Sequence, residues 1–351
     1  MRILRPILYL LLILVVAFLL FLLYATIDDY RPDEVTLQST ECEPDIISDS
    51  LEINLLIWNI GYAGLDASMD FFYDGGEQMR PSREGVIRNM EGISSTLAPY
   101  IGFDFIMLQE VDQDSKRSYH VNEFQTIKDQ FKGYYSSFGM NYDVGFVPIP
   151  VSEPMGKVES GLMTLSKQCP GSVERHSFPG NYSWPMKLFM LDRCFLVNRY
   201  QVSNQKELVI INTHNSAYDD GSLRAQQMSY LRDYLLSEYD KGNYVIVGGD
   251  WNQTPFGLKP ELPFHRFDTE DLTYVEKDYP APGWKWSFDT TMPTNRRVAE
   301  PYDRDSSPTT IIDCFLTSPN VELKEVKTID LNFQYSDHQP VQLQARLSIN
   351  Q

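Results

Sequence analysis

Tyr335-Ser-Asp-His-Gln-Pro-Val341, YSDHQPV, places one of the chain's five histidines directly after an aspartate. The residues that follow, VQLQARL from Val341 to Leu347, alternate apolar and polar. That period of two predicts a strand with one buried face. Asp337-His338 therefore opens a terminal strand at a sheet edge, where side chains can reach solvent. An Asp-His pair on its own is more often a satisfied ion pair than a reactive one. The reading turns on whether other strands carry polar residues at their ends.

They do. Asn59 closes the strand predicted over 52–60, EINLLIWNI, and Glu110 sits near the end of FDFIMLQEVD, 103–112. His214 closes the apolar run of KELVIINTHNS, 206–216, and Asp250 and Asn252 end NYVIVGGDWN, 243–252. Asp313 interrupts TIIDCFLTS, 310–318. Strand-end loops are where a sheet scaffold presents reactive groups. Singly, each residue has an ordinary reading: Asn59 and Asn252 as turn formers, Glu110 and Asp250 as caps, His214 as a core histidine. Asp313 is harder to dismiss, because a carboxylate in an apolar strand needs a charged or hydrogen-bonding partner. His338 would serve.

Between these motifs, helical spacing predicts helices over 83–100 and 222–241, and apolar runs predict strands over 161–167 and 187–202. GMNYDVGFVPIP, 139–150, reads as loop-rich, and so does the long insert 253–309. Helices and strands interleave, yet several strands follow one another directly, so mixed sheets are expected. No internal boundary divides 51–351, which reads as one catalytic domain.

The chain has 351 residues, 42% hydrophobic and 13% aromatic, enough for a sizeable core. Its net charge of −18 argues against a protein held to nucleic acid by a basic face. Bound divalent cations can invert the sign of a site, so nucleic acid stays open as a substrate only. The first 27 residues differ: Arg2 and Arg5 precede an unbroken apolar run from Pro6 to Ile27. At about 33 Å it is long enough to cross a bilayer core, and longer than a secretory signal needs. A retained signal anchor is the expectation over cleavage near Tyr24-Ala25-Thr26, with the N-terminus cytoplasmic and the rest outside. Residues 28–50 carry eight acids against Arg31 alone and read as a solvated, extended tether. Four cysteines, Cys42, Cys169, Cys194 and Cys314, allow three full pairings. Cys314 reads as a buried thiol, and Cys169–Cys194 as the best bridge.

Together the strand-end residues supply what metal-assisted phosphoester hydrolysis requires. A hard cation such as Mg²⁺, with Mn²⁺ or Ca²⁺ as substitutes, wants oxygen ligands, and Glu110, Asn59 and Asp337 provide them. His338 held by Asp313 is an oriented base for a water. Asp250 and Asn252 can position that water or ligate metal, and His214 can contact a phosphate oxygen or assist the leaving group. Arg193, Tyr142, Trp284 and Arg296 are candidates for the substrate groove.

The ordered set WN, QE, NTH, GDWN, ID and SDHQPV resembles the endonuclease/exonuclease/phosphatase superfamily, which includes deoxyribonuclease-I-like nucleases, sphingomyelinases and inositol polyphosphate phosphatases. The resemblance covers about residues 51–347. It implies a four-layer α/β sandwich, two packed mixed sheets flanked by helices. It also implies metal ligation by Asn59 and Glu110 with Asp337 nearby, phosphate contact by His214, and water or metal positioning by Asp250 and Asn252. Asp313–His338 becomes the oriented pair. Members are read with either the SDH histidine or the GDxN aspartate as base, and His338 is favoured here. The expected activity is a phosphodiesterase or phosphatase acting on a lipid or other extracytoplasmic phosphoester. An extracellular endonuclease or exonuclease is the alternative, and a non-catalytic surface binding protein on the same scaffold the second. No protein partner is expected.

Overall fold

The period-two runs pair into two mixed sheets. A computed structural model describes residues 4–348, apart from 41, 218, 260–261 and 268–271. In chain order the first strands are β1 (Val35–Gln38), β2 (Ile46–Ile47), β3 (Glu52–Asn59), β4 (Phe105–Asp112), β5 (Tyr135–Val147), β6 (Gly156–Ser166), β7 (Ser172–Ser177) and β8 (Cys194–Val202). Then come β9 (Glu207–His214), β10 (Tyr244–Asp250), β11 (Lys285–Ser287), β12 (Asn295–Arg296), β13 (Thr309–Thr310), β14 (Asp313–Thr317), β15 (Val321–Thr328) and β16 (Val341–Leu347). The helices are α1 (Leu4–Ile27), α2 (Arg83–Leu97), α3 (Glu123–Gln130) and α4 (Ser222–Asp240). One sheet runs β1-β7-β8-β9-β10-β14-β11 with β2 beside β8, and the other runs β15-β16-β3-β4-β6-β5.

Alternation along a strand sends successive side chains to opposite faces. Leu55 and Ile57 of β3 face the other sheet, where they join Phe105, Met107, Ile210, Ile246 and Phe315 in a core between the sheets. Leu56 and Trp58 of the same strand face outward and pack with Val86, Ile93 and Leu97 of α2 and Ile127 of α3. On the far side, Leu231 and Leu235 of α4 cover Val209, Ile211 and Val245. The order helix, sheet, sheet, helix is the expected four-layer sandwich. Central strands are covered on both faces, which is why they read as near-continuous apolar runs.

The structure departs from expectation wherever long-range pairing overrides local composition. Residues 139–147 belong to β5, which pairs with β6 from Tyr135↔Ser166 to Val147↔Gly156 despite its glycines and polar residues. The strand expected over 187–202 begins only at Cys194, because Met186–Phe189 forms a single 3₁₀ turn. Residues 28–50 are not a free tether: β1 pairs antiparallel with β7, and β2 pairs parallel with β8. An open sheet edge offers backbone partners whatever charge the incoming side chains carry. The same segment holds the disulfide, which is Cys42–Cys169 rather than Cys169–Cys194. Cys194 and Cys314 are free, buried thiols. Arg2, expected to flank the apolar run, lies outside the described residues. Arg5–Ile27 is one helix long and apolar enough to cross a membrane.

Candidate active site

Two parallel pairings converge on one rim. β3 runs beside β4, and β9 beside β10, so Asn59, Glu110, His214 and Asp250 all arrive at the same end of the sandwich. Antiparallel β14 and β16 begin where those strands finish: Asp313 is the register partner of Asp250, and Val341 of Ile57. The SDH turn thus lies over the end of β3. Trp58 Nε1 donates to the His338 carbonyl at 3.0 Å, and Ser336 Oγ donates to the Asn59 carbonyl at 2.8 Å.

Close approach at the rim has local causes. Gly249 has φ +146, and a Cβ there would collide with the Thr213 carbonyl oxygen. β9 and β10 can therefore bring His214 against Asp250 only with glycine at that position. Glu110 sits in a bulge: Leu108 pairs with Met163 and Val111 with Gly161, leaving Gln109 and Glu110 opposite Leu162. Its φ of 54° is the left-handed region, and bulges re-aim side chains in this way. Beneath it, Gln109 Nε2 donates to Asn212 Oδ1 at 2.7 Å, and Asn212 Nδ2 donates to the Leu108 and Met163 carbonyls at 3.1 and 3.0 Å. This buried bridge holds the bulge against β9.

At the centre, His338 Nδ1 lies 2.8 Å from Asp313 Oδ2, and its Nε2 lies 3.6 Å from Asp250 Oδ2. His214 Nε2 lies 3.4 Å from the same Asp250 oxygen. Asn59 Nδ2 donates to Asp250 Oδ2 at 3.0 Å and to Glu110 Oε1 at 3.2 Å. Burial pushes Asp250 up to about 6, with Asp313 adding to the effect and His338 opposing it. Burial also pushes Asp337 up to about 7; the pull of His338 opposes it, and the Glu110 charge adds a smaller push in the same direction as burial. His214 is held well below the ordinary histidine range by burial and then by the charges of Arg193, His338 and Arg117, so its ring is neutral.

Two influences act oppositely on His338. Burial resists its protonation, but Asp313, Asp250 and Asp337 outweigh burial and hold it well above the ordinary range. Yet Asn295 Nδ2 at 3.1 Å and Asn59 Nδ2 at 3.5 Å point donors at its Nε2, which only a neutral ring can accept. A divalent cation among the carboxylates would cancel their pull and leave the neutral ring that the amide geometry suits.

The donor set fits such a cation. Glu110 and Asp337 are carboxylates lining one cavity, close enough that the Glu110 charge disfavours ionisation of Asp337, which a hard ion would relieve. Asp250, Asp313 and His338 also bring ligand atoms within 4.8 Å of one another. Ligation there by His338 Nε2 would take the lone pair that a general base needs, while Nδ1 stays bonded to Asp313 at 2.8 Å, so the Glu110–Asp337 side is preferred. Asn59 differs from expectation: its Oδ1 accepts from the Gly61 amide at 3.0 Å, and its nitrogen faces the carboxylates. As placed, its nitrogen orients Glu110 and Asp250, while its oxygen is bonded to the Gly61 amide.

The site opens into a cavity of about 400 Å³ lined by Glu110, Asp337, His338, His214, Asp250 and Asn252, with Arg193, Tyr142 and Arg296 among its other walls. Asn252, at φ 49°, donates its backbone N–H to Asp250 Oδ1 at 2.9 Å. Tyr142 donates its hydroxyl to the Phe189 carbonyl at 2.9 Å. Arg296 is only 1% exposed, and its two terminal nitrogens donate to the Asp66, Arg297 and Glu300 carbonyls, so it braces the wall. Trp284 is not at the cavity. It packs against Tyr239 in the core beneath α4, because β11 folds the insert back onto β14. Sequence reading missed Asn295, a polar residue of the short strand β12 with no distinguishing signal. It also missed Tyr62 and Arg117, stacked 3.8 Å apart at the cavity, because SKRSYH resembles any basic surface turn.

Comparison with solved structures finds the same fold at low identity. A 2′,3′-cyclic phosphatase, ANGEL2, solved with adenosine-2′,3′-vanadate, shares 14% identity at TM-score 0.56, covering 91% of this chain and 100% of that one. An endonuclease/exonuclease/phosphatase from Beutenbergia cavernae shares 16% at TM-score 0.55, covering 85% and 72%. D. rerio TDP2, complexed with a single-strand DNA product, shares 17% at TM-score 0.52, covering 84% and 99%. Comparison with curated protein sequences returns no match. Residues 56–338 match the profile of the Endonuclease/Exonuclease/phosphatase family. With that span, and with all six strand-end motifs on one rim, the chain belongs to this family.

Proposed function

We propose that the protein is a divalent-metal-dependent phosphoester hydrolase in which Asp313 and His338 activate water. The observation that carries this reading is the buried Asp313–His338 pair, 2.8 Å apart, opening on the cavity that Glu110, Asp337 and Asp250 line. Family neighbours support it, since the names of ANGEL2 and the TDP2 complex describe a cyclic phosphatase and a nucleic-acid product. The preferred substrate is a non-nucleic phosphoester outside the cytoplasm, with a nuclease as the alternative.

Glu110 and Asp337, with Asp250 beside them, would hold Mg²⁺, which supplies charge neutralisation at the phosphoryl oxygens when bound. Asp313 fixes the tautomer of His338, keeping the proton on Nδ1 and the lone pair on Nε2. A water between Nε2 and Asp250 gives its proton to Nε2 as its oxygen forms the new P–O bond. The ester P–O bond opposite breaks, the departing oxygen takes a proton from solvent water, and the hydroxide so formed recovers the proton held on His338. Neutral His214 offers an N–H to a phosphoryl or leaving oxygen. Asn59 and Asn252 hold the Glu110 and Asp250 carboxylates in place.

We further propose that α1 remains in the membrane as a single-pass anchor, with the N-terminus cytoplasmic and the catalytic domain outside. The enzymatic test is turnover of a phosphoester panel with Mg²⁺ by the wild type and by His338→Ala. The variant should lose about 10²–10⁴-fold in kcat while keeping its circular dichroism spectrum. Chelation should abolish wild-type turnover, and Mg²⁺ should restore it. Full activity in His338→Ala with loss in Asp250→Asn would transfer the base to Asp250, and chelator-resistant turnover would remove the metal.

A further inference from the structure

One segment builds both a wall of the cavity and the seat of α1. Tyr182, Phe189 and Leu191 line the cavity. Phe189 also stacks on Phe21 of α1 with ring centroids 5.7 Å apart, and Phe146 of β5 meets Phe21 edge-on at 6.1 Å. Trp184 Nε1 donates to Thr26 Oγ1 at 3.3 Å, and Lys187 lies 3.9 Å from Asp29. Gly145 permits the approach, since a Cβ there would strike the Asp28 carboxylate.

These contacts set a depth. Phe21 lies six residues before Ile27, about 9 Å back along the helix axis. The loops beside Phe21 therefore sit below the level where the apolar run ends. Side chains there are exposed in a way that water-facing loops avoid: Phe146 at 40%, Ile149 at 47%, Val151 at 86%, Trp184 at 56% and Met186 at 52%. A lone exposed apolar residue needs no explanation, but Phe146 and Trp184 touch α1 directly, and with Ile149 and Val151 following the one and Met186 the other along the chain they supply an apolar patch. Residues 7–20 of α1 are exposed and apolar all round, so lipid is the partner that suits them, and the patch continues that surface. Burial by about 5–10 Å is what interfacial elements adopt, and tryptophan favours the headgroup level. Asp28, Asp29 and Asp143 line the hollow at the foot, and the nearby cations Lys187 and Arg31 face Asp29, so apolar surface rather than anionic lipid would drive insertion.

We infer that the loops over 146–151 and 184–189 dip into the leaflet at the Ile27 end of α1, and that the substrate is the headgroup phosphoester of a membrane lipid presented there. The substrate half of this rests on the hydrolase reading; the insertion half does not. The wall that carries Phe189 on one side and Phe21 on the other would place the cavity mouth at the lipid surface.

The test uses the full chain in nanodiscs of zwitterionic phosphatidylcholine with brominated acyl chains. Trp58, Trp251 and Trp284 are buried and Trp286 is half-buried, so Trp184 is the exposed reporter. Bromolipid should quench part of the wild-type emission, and that part should vanish in Trp184→Phe; equal quenching in both overturns insertion. In a second arm, Val151→Asp/Met186→Asp, at two positions outside the cavity lining, is assayed on sphingomyelin and phosphatidylinositol phosphate in the nanodisc. Turnover of the lipid that the wild type hydrolyses should fall about tenfold or more, while soluble bis-p-nitrophenyl phosphate stays within about twofold. Undiminished lipid turnover, or equal loss on both substrates, overturns the assignment. Wild-type turnover of the soluble ester alone overturns the lipid substrate and spares the hydrolase. Silence on every ester defeats the hydrolase reading and the lipid substrate with it, and leaves the quenching to judge insertion.

Discussion

Asp313 and His338 show how much of the site depends on a single pairing. Each was legible as unusual, one as a carboxylate in an apolar strand and one as a histidine opening the last strand, but neither named the other's neighbours. If Asp313 acts only through His338, then Asp313→Asn should cost kcat about 10²–10⁴-fold, and the double variant with His338→Ala should be no slower than His338→Ala alone. Steady-state kinetics of the cycle decide it: multiplicative losses would mean that Asp313 contributes separately. Glu110 carries a similar lesson. The QE dipeptide suggested a strand end, yet its carboxylate reaches the cavity through a bulge and a left-handed backbone that no side-chain pattern announces.

Elements are held by ties of a different kind. Arg199 of β8 reaches Glu238 of α4 with Nη2–Oε1 at 2.8 Å, joined by Lys241 and Asn243. Burial opposes ionisation of Glu238, but hydrogen bonds from Arg199, Lys241 and Asn243 outweigh it and hold the carboxyl down to about 2. A depressed folded-state pKa contributes stability above the unfolded value near 4.3, lost as pH falls through about 2. Glu238→Gln should therefore cost about 3 kcal/mol at neutral pH, and its stability curve should be flatter than wild type between about pH 4.5 and 2. Urea titrations across that range would show it, and parallel curves would refute it. On the same side of the sheet, Cys42–Cys169 closes a loop with a sequence separation of 127 and pins β1 and β2 to β7 and β8. Cys42→Ser should lower stability by about 2–5 kcal/mol under oxidising conditions and leave the reduced protein nearly unaffected. Thermal melts with and without reductant give the comparison.

For the whole molecule, the N-terminal apolar run is the feature that sequence and structure read alike: it forms one continuous helix whose residues 7–20 stay exposed. A retained anchor predicts that the intact mass of the membrane-extracted protein includes residues 1–27 and that carbonate washing does not release it; a mature N-terminus near Ala25–Ile27 would mean cleavage. What the sequence by itself determined was the set of central strands, the two long helices α2 and α4, and the polar residues closing each strand, because hydrophobic period is local and strand ends follow from it. Tertiary structure alone decided which ends meet, since Asn59 and His338 are brought together only by the β3–β16 register. It also decided that an acidic segment becomes edge strands, that Cys42 takes Cys169, that Trp284 belongs to the core, and that the terminal nitrogens of Arg296 donate to carbonyls. Those outcomes depend on backbone groups and buried space contributed by distant segments, and no window of neighbouring residues encodes them.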